Sequence, residues 1–203
     1  MNKNGVEAVI FDLGRVLVDV NFGKGIMGYF SGGASDPLRA VHQIYSEPLF
    51  RDYNCGRISS AEFYEEINFK YSLELKYHDF VDKWCNVFEV IPGMPDLVKR
   101  VALKYKVGLL SDTDPLHWHY CLNRFPFLKI FKRPALSYEV GQLKPAGKCY
   151  LIAAENIKTK PERCLFIDDR PENVLGARKA GMRAIRFFSP KKLTADLQSH
   201  INL

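Results

Sequence analysis

Four short apolar runs recur along the chain: Ala8-Val9-Ile10-Phe11, Val107-Gly108-Leu109-Leu110, Cys164-Leu165-Phe166-Ile167 and the looser Arg183-Ala184-Ile185-Arg186-Phe187-Phe188. Each is too short for a helix and rich enough in branched or aromatic residues to predict a buried strand. Between the later runs the period lengthens. Pro95 to Lys104 places Leu97, Val98 and Val101 on one face, and Pro145 to Asn156 does the same with Tyr150, Leu151 and Ala154. Pro171 to Ala180 stops at Gly181, a helix-ending glycine. Strands alternating with helices predict an α/β fold: a doubly wound, Rossmann-like parallel sheet covered on both faces.

Residues 21–91 break this rhythm. Gly23, Gly25, Gly28, Gly32 and Gly33 punctuate an irregular start, and helices are expected near 36–50, 59–70 and 77–90. Ser59-x-x-Glu62 is a capping-box pattern with Phe63 and Ile67 following four apart, and Phe80, Trp84, Val87 and Phe88 form an apolar stripe. The division that follows is a core of residues 1–20 and 92–203 with a small helical lobe, 21–91, inserted after the first strand.

Composition narrows the classes. Of 203 residues, 47% are apolar and 26% charged, which excludes disordered, collagen-like and membrane-spanning chains. The net charge of +6 raises the question of nucleic acid, but the basic residues are scattered apart from pairs such as Lys99-Arg100 and Lys132-Arg133. No nucleic-acid partner is expected; the positive surface instead favours a small anionic substrate. The five cysteines are odd in number and contain no C-x-x-C pair, so reduced, buried thiols are expected rather than disulfides or zinc. The Met-Asn-Lys-Asn-Gly start fits no signal peptide, and the expected location is cytoplasmic, away from membranes.

Ligands of parallel α/β sheets bind beyond the carboxyl ends of the strands. The first run ends in Asp12, the second in Ser111 and the third in Asp168-Asp169, while Lys144 precedes Pro145 at the start of a helix. Three carboxylates, a hydroxyl and a cation therefore meet at one edge. Hard oxygens of this kind suit Mg²⁺ together with a phosphate. His117-x-His119 does not make a zinc site, because a spacing of two points the rings apart on a helix.

Phe11-Asp12-Leu13-Gly14-x-Val16-Leu17, Leu110-Ser111-Asp112-Thr113, Lys144-Pro145 and Phe166-Ile167-Asp168-Asp169-x-x-x-Asn173 resemble, in that order, the four motifs of the haloacid dehalogenase (HAD) superfamily. The likeness runs from about residue 7 to 188. It is similar in its Asp-Leu-Gly motif to small-cap members such as sugar-1-phosphate phosphatases and the N-terminal phosphatase domains of epoxide hydrolases. The resemblance implies a Mg²⁺-dependent phosphatase acting on a small phosphorylated metabolite. Asp12 would be the nucleophile, and Asp12, the Gly14 carbonyl, Asp168 and Asp169 the metal set. Ser111, the Asp112 amide and Lys144 would hold the phosphoryl oxygens, and Asn173 would orient Asp169 or the lysine.

The chain departs from the pattern where most such phosphatases carry a second aspartate as general acid; here that residue is Gly14. Losing it removes a contribution of roughly 10²–10⁴-fold, unless Arg15, Asp19 or a lobe residue acts through water. A weakened or inactive relative that binds a phosphometabolite or regulates a partner is the alternative reading. Carbon–halogen hydrolysis through an ester on Asp12 is a further rival, disfavoured by an acid pair that implies a metal. Asp112-Thr113-Asp114 also stands where similar sequences often read Asn-Thr-Asn, and an ionised Asp112 would repel a phosphate.

Overall fold

The computed structural model describes residues 5–21, 24 and 43–202. The five early glycines and the first part of the helix expected near 36–50 lie outside them. Strand β1 (Ala8–Phe11) leads through a tight turn to β2 (Val18–Val20). Helices α1 (Pro48–Asn54), α2 (Ser60–Lys70) and α3 (Tyr77–Cys85) follow, and β3 (Phe88–Val90) brings the chain back. Then come α4 (Met94–Ala102), β4 (Lys106–Ser111), α5 (Pro115–Arg124), β5 (Ala135–Leu136), α6 (Ser137–Val140) and α7 (Gly147–Asn156). The chain closes with β6 (Cys164–Asp168), α8 (Pro171–Lys179), β7 (Arg183–Arg186) and α9 (Pro190–Leu197).

The main sheet has the order β5-β4-β1-β6-β7 and every pairing in it is parallel. Its strands alternate between two apolar layers. Val9, Phe11, Leu109, Leu165 and Ile167 pack with α4, α5 and α9, whereas Ala8, Ile10, Leu110 and Phe166 pack with α7 and α8. Both faces are therefore dry, which is why the sequence shows unbroken apolar runs rather than alternation. Each fully buried Leu, Ile or Phe contributes roughly 1.5–3 kcal/mol. The chain moves from β1 to β4 on one side and later to β6 on the other. The ends of β1, β4 and β6 therefore flank a crevice of the kind where ligands bind.

β2 and β3 form a separate antiparallel ribbon with Val18 opposite Val90 and Val20 opposite Phe88. The ribbon carries the chain to a helical lobe with its own core of Tyr53, Phe63, Ile67, Phe80 and Trp84. The Ser59 capping box forms as expected, with both of its reciprocal hydrogen bonds present. Two expectations are corrected. The helix expected over 77–90 stops at Cys85, because Phe88–Val90 pairs with β2, a distant partner that local periodicity cannot reveal. The helix expected to end near 50 is broken at Glu47, whose extended backbone starts a new helix at Pro48 that runs on to Asn54. β5 has only two residues and was not foreseen.

Helix α8 sits unusually close to the loop before α7. A Cβ added at Gly176 would lie 2.7 Å from Pro145 Cβ, 2.7 Å from the Tyr150 hydroxyl and 3.0 Å from the Pro145 carbonyl. Gly176→Ala is therefore expected to destabilise by roughly 1–3 kcal/mol through overpacking, despite alanine's better helix propensity. Thermal melts check this; an unchanged or raised Tm would show that the loop yields freely.

Candidate active site

The parallel ladder places the first acid. The Asp12 N–H donates to the Ile167 carbonyl at 2.9 Å, so β1 continues one residue past Phe11 and sets Asp12 beside the end of β6. There Asp168 is fully buried. Between them lies Lys144, whose Nζ is 2.7 Å from Asp12 Oδ1 and 2.7 Å from Asp168 Oδ2. Asp168 also accepts the Arg170 N–H at 2.9 Å and, through both oxygens, the Asn173 amide at 3.1 Å. Asn173 thus orients Asp168, not Asp169 or the lysine: the first turn of α8 folds back onto the last residue of the strand before it.

Asp112 plays a part the sequence did not suggest. Its Oδ1 accepts the Lys144 backbone N–H at 2.9 Å and so anchors the lysine loop. Burial pushes its carboxyl above the ordinary range, with the Lys144 charge opposing. Ser111 ends β4 and lines the same cleft as Asp12, Gly14, Lys144 and Asp169. Asp12, Gly14, Ser111, Asp112, Lys144, Asp168 and Asp169 therefore meet in one place, whereas Asp19 is exposed on β2 and does not line the cleft.

The electrostatics call for a cation. Burial raises the Asp12 carboxyl to about 7; Lys144 opposes this and Asp168 adds to it. Asp169 is raised by burial and by Asp168, and lowered by the Arg15 charge. Burial would lower Lys144, but Asp12, Asp168 and Asp112 together hold it well above its usual range, as an ammonium. Oxygens of Asp12, Asp168 and Asp169 all lie within 4.8 Å of one another. Three carboxylates against one ammonium leave negative charge in a desolvated place. An all-oxygen donor set of this kind fits Mg²⁺ rather than a softer metal.

The turn after β1 is held by Leu17 and Val18 N–H groups on the Leu13 carbonyl and by the Arg15 N–H on the Val18 carbonyl. It forces Arg15 to φ 58°, a left-handed conformation costing an L-residue about 1–2 kcal/mol. Beyond the turn the cleft opens to about 1080 Å³, with Asp12, Ser111 and Lys144 on its floor and Phe50, Arg51 and Asn54 on the lobe side.

Sequence reasoning missed the tie between lobe and core. His117 is buried, with Nδ1 2.7 Å from Asp114 Oδ2 and Nε2 3.0 Å from the Trp84 carbonyl. Its ring stacks on Trp84 at 5.1 Å. Asp114 caps α5 by accepting the His117 N–H, a role its place before Pro115 would have signalled. His119 is exposed and turned to the Pro115 carbonyl, so the two rings diverge as expected. All five cysteines are buried and unpaired, and burial raises Cys85, Cys121, Cys149 and Cys164 above the usual thiol range.

Compared with known protein families, the chain matches the haloacid dehalogenase-like hydrolases over residues 6–181, a stretch that contains every residue of the cluster. The chain belongs to this family. The D-ribitol-5-phosphate phosphatase of Bacteroides thetaiotaomicron is 24% identical, covering 89% of this chain and 91% of that one. A HAD family enzyme of Bacteroides thetaiotaomicron, crystallised with magnesium and inorganic phosphate, superposes with a TM-score of 0.80 at 24% identity, over 91% of this chain and 95% of that one. A HAD-like family hydrolase from Porphyromonas gingivalis gives 0.78 at 26% identity, over 95% of this chain and 98% of that one. The α/β architecture of this haloacid dehalogenase-like hydrolase is thus that of solved relatives.

The raised Asp12 carboxyl sets a pH dependence. The folded metal-free chain holds a proton there that an unfolded carboxyl, with its ordinary value near ~4, has released. Stability therefore falls as pH rises from about 4 to about 7. Asp12→Asn is expected to raise Tm at pH 8 by about 2–4 °C per kcal/mol relieved, with much less effect at pH 4. Added Mg²⁺ is expected to stabilise the wild type more at pH 8 than at pH 6. Melts across this range, with and without EDTA, check both.

Proposed function

We propose that this hydrolase is a Mg²⁺-dependent phosphatase of a small phosphorylated metabolite, a sugar phosphate in class, working through an aspartyl-phosphate on Asp12. The observation that carries it is the Lys144 ammonium at 2.7 Å from both Asp12 and Asp168, with Asp169 completing an oxygen set. The cleft of about 1080 Å³ has room for a sugar phosphate. The relative that hydrolyses D-ribitol 5-phosphate supports the substrate class.

In this reading Asp12 attacks phosphorus in line, the phosphorus–oxygen ester bond breaks, and the leaving oxygen takes a proton from water to depart as the alcohol. Water then hydrolyses the aspartyl-phosphate and frees Asp12. Lys144 and Ser111, with the Asp112 amide, bind the phosphoryl oxygens as charge shifts among them. Mg²⁺ held by Asp12, Asp168, Asp169 and the Gly14 carbonyl would offset repulsion between an anionic nucleophile and an anionic phosphate. The helical lobe acts as a cap that excludes water and shapes the substrate side of the cleft. Cytoplasmic residence accords with five unpaired thiols. No described helix is long and apolar enough to cross a membrane.

Gly14 favours a second reading, a binding protein with residual turnover, because no carboxylate stands there to protonate the leaving oxygen. Space is not the obstacle. Among the described residues a Cβ at Gly14 would meet only Val20 Cγ2, at an ordinary 3.6 Å.

An aryl phosphate, whose leaving group needs little protonation, is the fair first substrate. Turnover with Mg²⁺ is expected to vanish with EDTA and to fall roughly 10³-fold or more in Asp12→Asn. Wild-type turnover no higher than that of Asp12→Asn would instead select the binding reading, and turnover indifferent to EDTA would remove the metal. Gly14→Asp is expected to raise kcat on alkyl phosphates by up to about 10²-fold and on aryl phosphates far less, the signature of a restored general acid. Steady-state kinetics on paired esters would check this.

A further inference from the structure

Four arginines line the cleft, and they differ in what holds them. Arg57 is paired with Asp52 at 2.5 Å and Arg170 with Glu172 at 2.5 Å. Arg15, from the turn after β1, and Arg51, from α1, are exposed and have no hydrogen bond or ion pair from their guanidinium groups among the described residues, although the Arg15 charge reaches Asp169. Of the acids near Arg51 in sequence, Asp52 is taken by Arg57, and Glu47, also in the cleft wall, is paired with Lys70 at 2.7 Å.

Arg15 is also placed against its backbone preference. At φ 58° the turn suits glycine, which adopts this region without strain. The chain has its glycine one residue earlier, at Gly14, and an arginine where the strain falls. Strained non-glycine residues gather at ligand clamps, where the side chain is needed in spite of the backbone. The buried Lys144 already supplies an ammonium at the floor of the cleft, beside Asp12. Two more cations lining the cleft exceed what one phosphate needs, and they come from the turn after β1 and from α1.

Resting on the phosphatase reading, we propose that Arg15 and Arg51 bind a second anionic group of the substrate. The substrate class is then a phosphate ester that also carries a carboxylate or a second phosphate, such as a sugar-acid phosphate or a sugar bisphosphate. Arginine suits both, since its planar fork meets either group with paired hydrogen bonds.

The test compares matched esters. Glycerol 3-phosphate is set against 3-phosphoglycerate for the carboxylate, and fructose 6-phosphate against fructose 1,6-bisphosphate for the second phosphate. Wild-type kcat/KM is expected to favour the member with the extra anion by at least tenfold in one pair, which tells the two sources apart. Raised ionic strength is expected to compress that preference. Arg15→Gly and Arg51→Gln are each expected to reduce it at least fivefold, chiefly through KM. Arg15→Gly is expected to melt no lower than wild type, because glycine relieves the turn, so lost preference cannot be laid to misfolding. Calorimetric binding of the same esters to Asp12→Asn gives the ratio without turnover, so a failed phosphatase reading is seen separately. Equal affinity within each pair overturns the proposal. So does an equal loss on both members of a pair in Arg15→Gly, which would place Arg15 at the leaving oxygen instead.

Discussion

The Lys144 ammonium lies 2.7 Å from a carboxylate at the end of β1 and 2.7 Å from another at the end of β6, and the geometry of the cleft depends on that bridge. Two acids so close in a dry place would repel each other, and one would hold a proton. The ammonium between them offsets part of that repulsion, and Asn173 and the Arg170 N–H hold Asp168 further, while burial still leaves Asp12 its proton up to about pH 7 in the metal-free chain. The bridge in turn needs the loop that carries it. Asp112 fastens that loop to the end of β4, and the absence of a side chain at Gly176 lets α8 pack against Pro145 next to the lysine.

The same stretch of chain that supplies Asp12 also launches the lobe. Only a tight turn, bonded to the Leu13 carbonyl, separates Asp12 from β2, and β2 pairs with the strand that returns from the lobe. The nucleophile candidate and the wall above it are therefore neighbours in sequence as well as in space. The sharpness of that turn sets the left-handed backbone at position 15, and the chain keeps an arginine there rather than a glycine.

The core strands were legible because both of their faces are buried, so composition alone marks them; the starts of β1 and β6 were read to the residue. The cluster at their ends was legible because parallel topology converts strand order into position: Asp12, Ser111 and Asp168 needed only the rule that ligands sit at carboxyl ends. What was not legible depended on distant partners. Phe88 continues the apolar stripe of α3 in sequence but pairs with Val20, some seventy residues away along the chain. Asn173 bonds the acid at the strand terminus rather than the one beside it, and Asp112 faces a backbone amide rather than a ligand. His117 gave no sign of stacking on Trp84, since nothing in the local pattern of α5 refers to the lobe.

The helical lobe has an apolar core of its own, built from Tyr53, Phe63, Phe80 and Trp84 and separate from the two layers around the sheet. The cleft thus has two walls with separate apolar cores, joined where His117 stacks on Trp84. Side chains on the lobe wall, such as Phe50 and Arg51, touch neither Asp12 nor the Lys144 and Asp168 bridge that holds the floor in register. A chain built this way can drift in what it recognises while its chemistry stays fixed, so divergence among such proteins should concentrate in the inserted lobe.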